Sequence, residues 1–415
     1  MLTVWNRLLQ VVALGRYCMP RPKIAAVVTE HRERSHAQHF VDRFLWGYPW
    51  HGRHHLPPMD LVALYTDQVP KGDLSRDRAR RFPAMKIYPT IAAALTLGGE
   101  KLSVDGVLLI GEHGDYPRNE KGQTLWPRYE FFQQIVDVYR RSGRSVPVFS
   151  DKHLSWKWEW AREMVETSRE IQFPFMAGSS IPYVQRLPPV EIPRDAEVEE
   201  VVCVAPGGVD GYDIHALEGI QAMVERRKGG EKGVQWLHAL RRDAVFQAMG
   251  KGGWDRGGWD PELFEACLCR SHSIAAGRPA FGHALPERDE IPALLNEEAI
   301  AYRFQYADGL KATMLLLEGL VHDFTFAARI KGQQDPLSTL MYVDGRRPRH
   351  FFNAQVNAVE EMFLTGKAIC PIERTLLTTG LTAAGVESLW IGQRIDTPHL
   401  GIRYEPTAKS TFWNG

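Results

Sequence analysis

The feature of this sequence that most constrains its fold is the alternation, between residues 23 and 177, of short apolar segments with amphipathic ones. Apolar runs of this kind predict strands buried on both faces, and the amphipathic stretches predict helices. The predicted strands are residues 23–28, 60–67, 104–110, 146–149 and 173–177, and the predicted helices are 37–44, 75–82, 91–97, 128–141 and 156–172. Strands that alternate with helices form a parallel, doubly wound sheet.

The second half of the chain has a different pattern. After a strand at 198–205 and a helix at 213–226, four segments from residue 301 onward alternate apolar and polar residues and end in turn residues. This pattern predicts an open, mostly antiparallel sheet, followed by helices at 353–364 and 375–391.

The predicted fold class is therefore α/β, with a Rossmann-type doubly wound parallel sheet plus an α+β domain that carries an open, mostly antiparallel sheet. We expect an N-terminal extension at residues 1–20, the Rossmann-like domain at 21–186, and the α+β domain, for substrate binding and oligomerisation, at 187–415.

The composition narrows the classes of partner. Lys plus Arg and Asp plus Glu both number 50, so no overall positive field attracts nucleic acid or an anionic membrane. No apolar stretch has the length of a membrane-spanning helix. The five cysteines show no paired framework, which is typical of a reducing compartment. We therefore expect a cytoplasmic protein whose partner is a small-molecule substrate.

Ionisable residues follow the predicted parallel strands at the points where these strands end. Glu30 and His31 follow the first strand, and comparable groups follow the third and fourth. The carboxyl ends of parallel strands meet at one edge of the sheet, where ligands bind. Histidines and carboxylates that converge there are suitable ligands for a divalent cation. The predicted metal ligands are His31, Glu112, His113 and Asp151. The alternative is that these groups form ion pairs and bind the hydroxyl groups of a substrate.

The order of elements and several motifs resemble the Gfo/Idh/MocA family of sugar and polyol oxidoreductases over residues 22–400. The motifs are the first strand KIAAVV, the pair His36-Ala37, the strand DLVALYTD, the block VPVFSDKHLSWKWEWAREMVETSREIQFPFMAGSS and the segment GYDIHALEG. The resemblance implies NAD(P) as cofactor and proton transfer by a lysine and a histidine, which Lys152 and His215 match. It also implies a homo-oligomer formed through the open sheet.

The sequence departs from the family at the phosphate-binding turn. Residues 28–34 contain no glycine, although glycines there let the backbone approach a pyrophosphate. Glu30 and Glu33 add negative charge beside that position, which makes conventional NAD(P) binding doubtful. The candidate cofactor-binding residues are Thr29, Arg32 and, for the ribose, Asp67.

Two further departures affect the catalytic residues. His153 replaces the proline that follows the family's lysine, and Gly211 stands where an acidic residue is usual, with Asp210 and Asp213 close by. The predicted catalytic residues are Lys152, His153, Asp213 and His215. The predicted substrate-binding residues are His54, His55, Asp115, Tyr116 and Trp126. His54 and His55 belong to the segment 46–58, which is predicted to be an irregular loop.

Three functions remain open from the sequence. The first is an enzyme for a carbohydrate-like or polyhydroxylated molecule that uses metal-assisted acid–base chemistry, as a lyase, isomerase or hydrolase. The alternative is a NAD(P)-dependent oxidoreductase of sugars or polyols with an atypical phosphate-binding loop. The third is a non-catalytic binding protein. The glycine-flanked Trp254 and Trp259 are predicted to be exposed, as part of a lid or a subunit contact.

Overall fold

The computed structural model describes residues 20–274, 285–345 and 349–414. The predicted N-terminal extension, residues 1–20, lies outside the described residues except for Pro20. The described residues form a six-stranded sheet, an eight-stranded sheet and a two-stranded hairpin. No helix in this part of the chain is long and apolar enough to span a membrane.

The six-stranded sheet confirms the predicted Rossmann-type, doubly wound parallel sheet. Its strands run in the order β5-β4-β1-β6-β7-β8, and every neighbouring pair is parallel. In chain order the elements are β1 (Lys23–Glu30), α1 (His36–Trp46), β2 (Tyr48–Trp50), β3 (Arg53–His55), β4 (Asp60–Gln68), α2 (Ser75–Arg81), β5 (Lys86–Ile87), α3 (Ile91–Thr96), β6 (Gly106–Ile110), α4 (Arg128–Ser142), β7 (Val148–Asp151), α5 (Trp158–Glu170) and β8 (Phe175–Gly178).

Apolar side chains cover both faces of this sheet. In β1 every residue after Lys23 is buried, which agrees with the continuous apolar pattern. Helices α3, α4 and α5 pack on one face, and α1 packs on the other. The predicted irregular loop at 46–58 is instead partly regular, because β2 and β3 pair as an antiparallel hairpin.

The eight-stranded sheet confirms the predicted open, mostly antiparallel sheet. Its order is β16-β11-β12-β13-β10-β14-β15-β9, and only β10 and β13 run parallel to each other. The remaining elements are β9 (Arg186–Leu187), β10 (Val198–Ala205), α6 (Asp213–Val224), β11 (Val234–Arg241), α7 (Asp243–Lys251), α8 (Pro261–Arg270), α9 (Ile291–Leu294), β12 (Ile300–Tyr306), β13 (Lys311–Leu316), β14 (Phe324–Ile330), β15 (Leu337–Met341), α10 (Asn353–Thr365), α11 (Ile372–Ile391) and β16 (Ile395–Asp396).

Helix α10 joins the two halves of the molecule. It lies within residues 187–415, yet its apolar residues pack against the first half of the chain. Val359 and Phe363 share a core with Ile24 of β1 and Phe40 of α1. The approach is close: a Cβ on Gly106 of β6 would lie 2.9 Å from the ring of Phe363. The second sheet is therefore held against the first partly by a helix that follows it in sequence.

The prediction that Trp254 and Trp259 are exposed is wrong. Trp259 is 2% exposed and packs in a core between α8 and the outer face of the second sheet, and Trp254 is buried against the guanidinium of Arg303. The glycines beside them serve close packing, since a Cβ on Gly258 would lie 2.4 Å from the carbonyl oxygen of Ala248. Helices α7 and α8 therefore cover part of the sheet surface that the predicted homo-oligomer would use, and the homo-oligomer stays a prediction.

A buried ion pair joins the end of α6 to the start of α11. The guanidinium of Arg374 binds both carboxylate oxygens of Glu225 at 2.6 and 2.9 Å, and both residues are almost fully buried. Breaking such a pair by removing one partner leaves an uncompensated charge in the interior. Removal of either partner should therefore be strongly destabilising.

We expect Arg374→Met to lower the free energy of unfolding by about 3–5 kcal/mol, because Glu225 would stay buried without its partner. The matched control is Arg169→Met, which removes the exposed pair between Arg169 and Glu373 and should cost less than about 1 kcal/mol. Urea denaturation followed by tryptophan fluorescence measures both. Equal effects of the two substitutions would contradict the assignment.

Candidate active site

A cavity of about 400 Å³ lies between the carboxyl edge of the parallel sheet and the second sheet. The first domain contributes polar side chains that follow β1, β6 and β7, and the second domain contributes residues from α6, β14 and the segment before α10. The lining includes Arg34, His36, Glu112, His113, Lys152, Tyr212, His215, Phe324, Arg349 and Phe352. The cavity thus lies at the edge of the parallel sheet where the strand order predicts a ligand site.

A buried ion network forms the floor of this cavity. Glu112 accepts from the Lys152 ammonium at 2.9 Å through one carboxylate oxygen and pairs with Arg128 through the other. Burial alone would raise the pKa of Glu112, but Lys152 and Arg128 together hold it well below its usual range. The carboxylate is therefore ionised and fixes the positions of both cations.

Lys152 connects the two domains from this network. Its ammonium also donates to the carbonyl oxygen of Gly211, at 2.9 Å, in the loop that precedes α6. Its backbone has a φ of +62°, in the left-handed region that non-glycine residues rarely occupy. Its amide donates to the carbonyl of Gly178, so the end of β8 holds the strained residue in place. Strained backbone of this kind is concentrated at functional sites.

His215 faces the same cavity from α6. Its Nδ1 lies 2.5 Å from the hydroxyl oxygen of Ser179, which fixes the plane of the ring. Burial holds the pKa of His215 well below its usual range, so the imidazole is neutral and keeps one nitrogen lone pair for a proton. A neutral base and a cationic donor, Lys152, therefore line one cavity.

The other two predicted catalytic residues lie behind this cavity. His153 is buried and its Nε2 accepts from Arg128 at 3.0 Å. Asp213 is fully buried, binds the hydroxyl of Tyr302 at 3.2 Å, and has its pKa raised by burial to about 6. Neither side chain is part of the cavity lining.

The four predicted metal ligands are not brought together. His31 is fully buried on the side of Asp42, 3.9 Å away, and neither ring nitrogen has a hydrogen-bond partner in the part of the chain that the structure describes. Asp151 instead binds Nδ1 of His36 at 2.6 Å, while His113 only accepts weakly, at 3.5 Å, from the amide of His36.

The physical reason is that cations already occupy the carboxylate at the centre of the predicted set. Glu112 is shared between Lys152 and Arg128, which leaves no oxygen free of a positive partner. Over the described ranges, no group of three or more His, Cys, Asp or Glu side chains has an arrangement that could hold a metal ion. The structure therefore gives the predicted metal site no support.

The predicted cofactor residues lie around the first turn, but their polar atoms are already engaged. The hydroxyl of Thr29 donates to the carbonyl of Glu112 at 2.8 Å, and Arg32 pairs with Glu30 at 2.5 Å. The Asp67 carboxylate accepts from Tyr65 and Tyr116 at 2.8 and 2.7 Å. A ribose hydroxyl is a donor of the same kind as these tyrosines, so Asp67 remains chemically suited to a ribose.

The turn before α1 offers little to a pyrophosphate. The amide of Arg34 donates to the side chain of Gln38 at 2.7 Å, and the amide of Gln38 donates to Ser35 at 3.2 Å. A bound pyrophosphate normally uses free amides at this helix terminus. The residues present thus fit the nicotinamide and the ribose of a dinucleotide. A pyrophosphate would need arginine side chains, such as Arg32, in place of the usual backbone amides.

The predicted substrate-binding residues are dispersed. Tyr116 is committed to Asp67, and the backbone of Asp115 binds Gln68. Trp126 stacks with Arg128 behind the cavity, and its buried indole nitrogen has no hydrogen-bond partner within the described ranges. His54 is exposed on the hairpin, and His55 pairs with Glu360 of α10. None of the five lines the cavity.

Sequence reasoning did not identify four residues that shape the site, namely His36, Arg128, Tyr212 and Arg349. His36 was recognisable as the first residue of α1, directly after the carboxyl end of β1. Arg128 pairs with a carboxylate 16 residues away, and no sequence pattern reports such a contact.

Asp210 is a second buried acid close to the network. It is 6% exposed, one carboxylate oxygen accepts from the amide of Thr124 at 2.7 Å, and the other has no partner among the described residues. Burial raises its pKa to about 7. The side chain therefore changes charge near neutral pH.

The comparisons with known proteins are consistent with this fold. No family model and no curated protein matches the chain. Among solved structures, myo-inositol dehydrogenase from Lactobacillus casei, in complex with NAD(H) and myo-inositol, is similar with a TM-score of 0.55 and 10% identity over 91% of this chain and 96% of that chain.

Two further structures extend the comparison. GenD2 from gentamicin A biosynthesis, in complex with NAD, gives a TM-score of 0.54 at 12% identity over 91% of this chain and 96% of that one. A super-repressor mutant of Gal80p from Saccharomyces cerevisiae gives 0.52 at 8% identity over 92% and 100%. Identities this low show a shared fold, and it is the fold that the sequence resemblance implied.

The buried acid Asp210 leads to a prediction on stability and pH. Its folded-state pKa, about 7, lies above the ordinary value of 3.8, so its contribution to stability is present below pH 3.8 and is lost as the pH rises through 7. Asp210→Asn keeps that contribution. The variant should therefore gain stability relative to the wild type between these two pH values, by on the order of 2–4 kcal/mol.

Denaturation midpoints measured across this pH range test the prediction. The control is Asp115→Asn, because Asp115 is exposed and should give no pH-dependent difference from the wild type. A difference between Asp210→Asn and the wild type that does not change with pH would contradict the assignment.

Proposed function

We propose that this chain is an oxidoreductase of a sugar, polyol or similar polyhydroxylated small molecule. The observation that carries the proposal is the cavity in which Lys152 and His215 meet, where a fixed ammonium and a neutral imidazole lie at the edge of a Rossmann-type sheet. Oxidation of a carbinol needs a group that accepts the hydroxyl proton and a group that stabilises the oxygen as its charge develops.

The comparisons favour oxidoreduction over metal-assisted lyase or hydrolase chemistry. Several solved structures with this fold are named as dehydrogenases, and two of the similar structures are described in complex with NAD or NAD(H). The metal-assisted hypothesis required four ligands that the described residues do not assemble. Support for an oxidoreductase therefore comes from two independent directions.

The residues of the cavity have distinct roles in the proposed reaction. Lys152 donates a hydrogen bond to the substrate oxygen, and its position is fixed by Glu112 on one side and by the carbonyl of Gly211 on the other. His215 holds the proton that leaves the hydroxyl, with its ring oriented by Ser179. The aromatic rings of Phe352 and Tyr212 at the cavity wall shield the polar groups from water.

A nicotinamide cofactor would supply the hydride acceptor. Asp67 would bind the ribose and Arg32 the phosphates, after Arg32 separates from Glu30. Thr29 keeps β1 joined to the segment after β6, which positions this end of the site.

A second candidate function is an isomerase or lyase that transfers protons without a hydride acceptor. The observation that favours it is the turn before α1, where side chains of the protein occupy the amides that a pyrophosphate normally uses. The same Lys152 and His215 would perform this chemistry at a carbon next to a carbonyl group.

We also propose that the protein works in the cytoplasm. The four cysteines among the described residues, Cys203, Cys267, Cys269 and Cys370, all carry free thiols, which is typical of a reducing compartment.

The proposed function predicts that Lys152→Met and His215→Gln each lower kcat/KM by about 10²–10⁴-fold, because each removes one partner of the proton transfer. Arg128 still neutralises Glu112 in Lys152→Met, so the fold should be retained. The measurement is dinucleotide reduction, followed by absorbance, with a panel of sugars and polyols.

The matched control is Lys157→Met, because Lys157 is exposed and lies outside this cavity. It should retain wild-type activity. Turnover that is equally insensitive to all three substitutions would contradict the proposed roles, and conversion of substrate without dinucleotide reduction would favour the second candidate function.

A further inference from the structure

A second, smaller cavity of about 270 Å³ adjoins the active-site cavity along α1. Arg34 and Arg349 line both cavities, so they stand at the boundary between the two. Neither guanidinium forms an ion pair with a described residue. The two arginines come from different domains, Arg34 from the turn before α1 and Arg349 from the segment before α10.

His39 adds a second, independent observation. It lines the smaller cavity, it is 7% exposed, and its Nε2 is buried without a hydrogen-bond partner among the described residues. An unpartnered polar atom in the interior is costly, so such atoms usually mark a position for a ligand or water. Burial is the main cause that lowers the pKa of His39 to about 2, and His36, Arg43 and Arg349 lower it further, so the imidazole is neutral.

The acidic groups nearby do not cancel this positive charge. Asp42 in the smaller cavity is bound through both oxygens by Arg78, at 2.7 and 2.8 Å, and Glu33 also lines this cavity. In the larger cavity Glu112 is shared by Lys152 and Arg128, and Glu318 accepts from the amide of Gly207 at 2.7 Å, so neither carboxylate is paired with a boundary arginine. The two boundary arginines therefore face the space between the cavities without an ion pair to any described residue.

We propose that the polyhydroxylated substrate is an acid, and that its carboxylate or phosphate group binds between Arg34 and Arg349. This inference rests on the proposed function, because it names the substrate class of the same cavity. Guanidinium groups bind carboxylate and phosphate through paired, charge-assisted hydrogen bonds. With the anion at this boundary, the remainder of the molecule extends toward Lys152 and His215.

Isothermal titration calorimetry on the full chain tests the proposal with three probes, gluconate, glucose 6-phosphate and the neutral polyol sorbitol. The wild type should bind one of the two acids at least about tenfold more tightly than sorbitol, since hydrogen bonds to charged groups are worth that much. Which acid binds more tightly distinguishes a carboxylate from a phosphate.

Substitution then tests the two arginines. Arg34→Gln and Arg349→Gln should each weaken binding of the preferred acid by about tenfold and leave sorbitol binding unchanged. The control Arg140→Gln changes an exposed arginine at the end of α4, outside both cavities, and should change neither affinity. Circular dichroism confirms that each variant is folded.

Equal affinity of the wild type for acids and sorbitol, or no measurable binding of either acid, overturns the proposal. So does a loss of NADP affinity in the two variants without a loss of acid affinity, because the arginines would then bind a cofactor phosphate. If the acids bind with the expected preference but no probe is turned over, the proposed oxidoreductase function fails while the acid site stands.

Discussion

The architecture of the site depends on the buried ion network of Glu112, Lys152 and Arg128. Glu112 lies between two cations without access to water, so removing it would leave Lys152 and Arg128 without a counter-charge in the interior. Removing either cation leaves Glu112 paired with the other. The network joins the end of β6, the start of α4 and the end of β7, and the ammonium of Lys152 extends it to Gly211 in the second domain. It fixes the ammonium beside His215, and it also occupies the carboxylate that a metal ion would need.

The same edge of the sheet shows how this protein differs from other proteins of its fold. In the usual arrangement free amides and glycines at the first turn bind a pyrophosphate. In this chain Ser35 and Gln38 satisfy those amides, and the Glu30 carboxylate pairs with Arg32. The positive charge lies at the boundary arginines, Arg34 in the turn before α1 and Arg349 in the segment before α10. A cofactor held mainly by side chains, and a substrate that brings its own negative charge, would both be consistent with that shift.

The parallel sheet could be predicted from the sequence because buried strands such as KIAAVV are local patterns, and strand order then places Glu112 and Lys152 at one edge. The contacts between side chains could not be predicted. Arg128 reaches Glu112 from the first turn of a helix, and Asp151 binds His36 across 115 residues of sequence. Trp259 was misassigned because flanking glycines suggest exposure, although here they permit tight packing. In each case the deciding factor is the distance between residues far apart in the chain.

The proposed function depends most directly on whether this cavity binds a nicotinamide dinucleotide. The most direct test is paired, with elemental analysis of the purified protein and calorimetric titration of NAD(H) and NADP(H) on the same sample. The account predicts saturable binding of one dinucleotide and no stoichiometric metal. Near-stoichiometric metal without dinucleotide binding would contradict the proposed function and would favour a metal-assisted reaction.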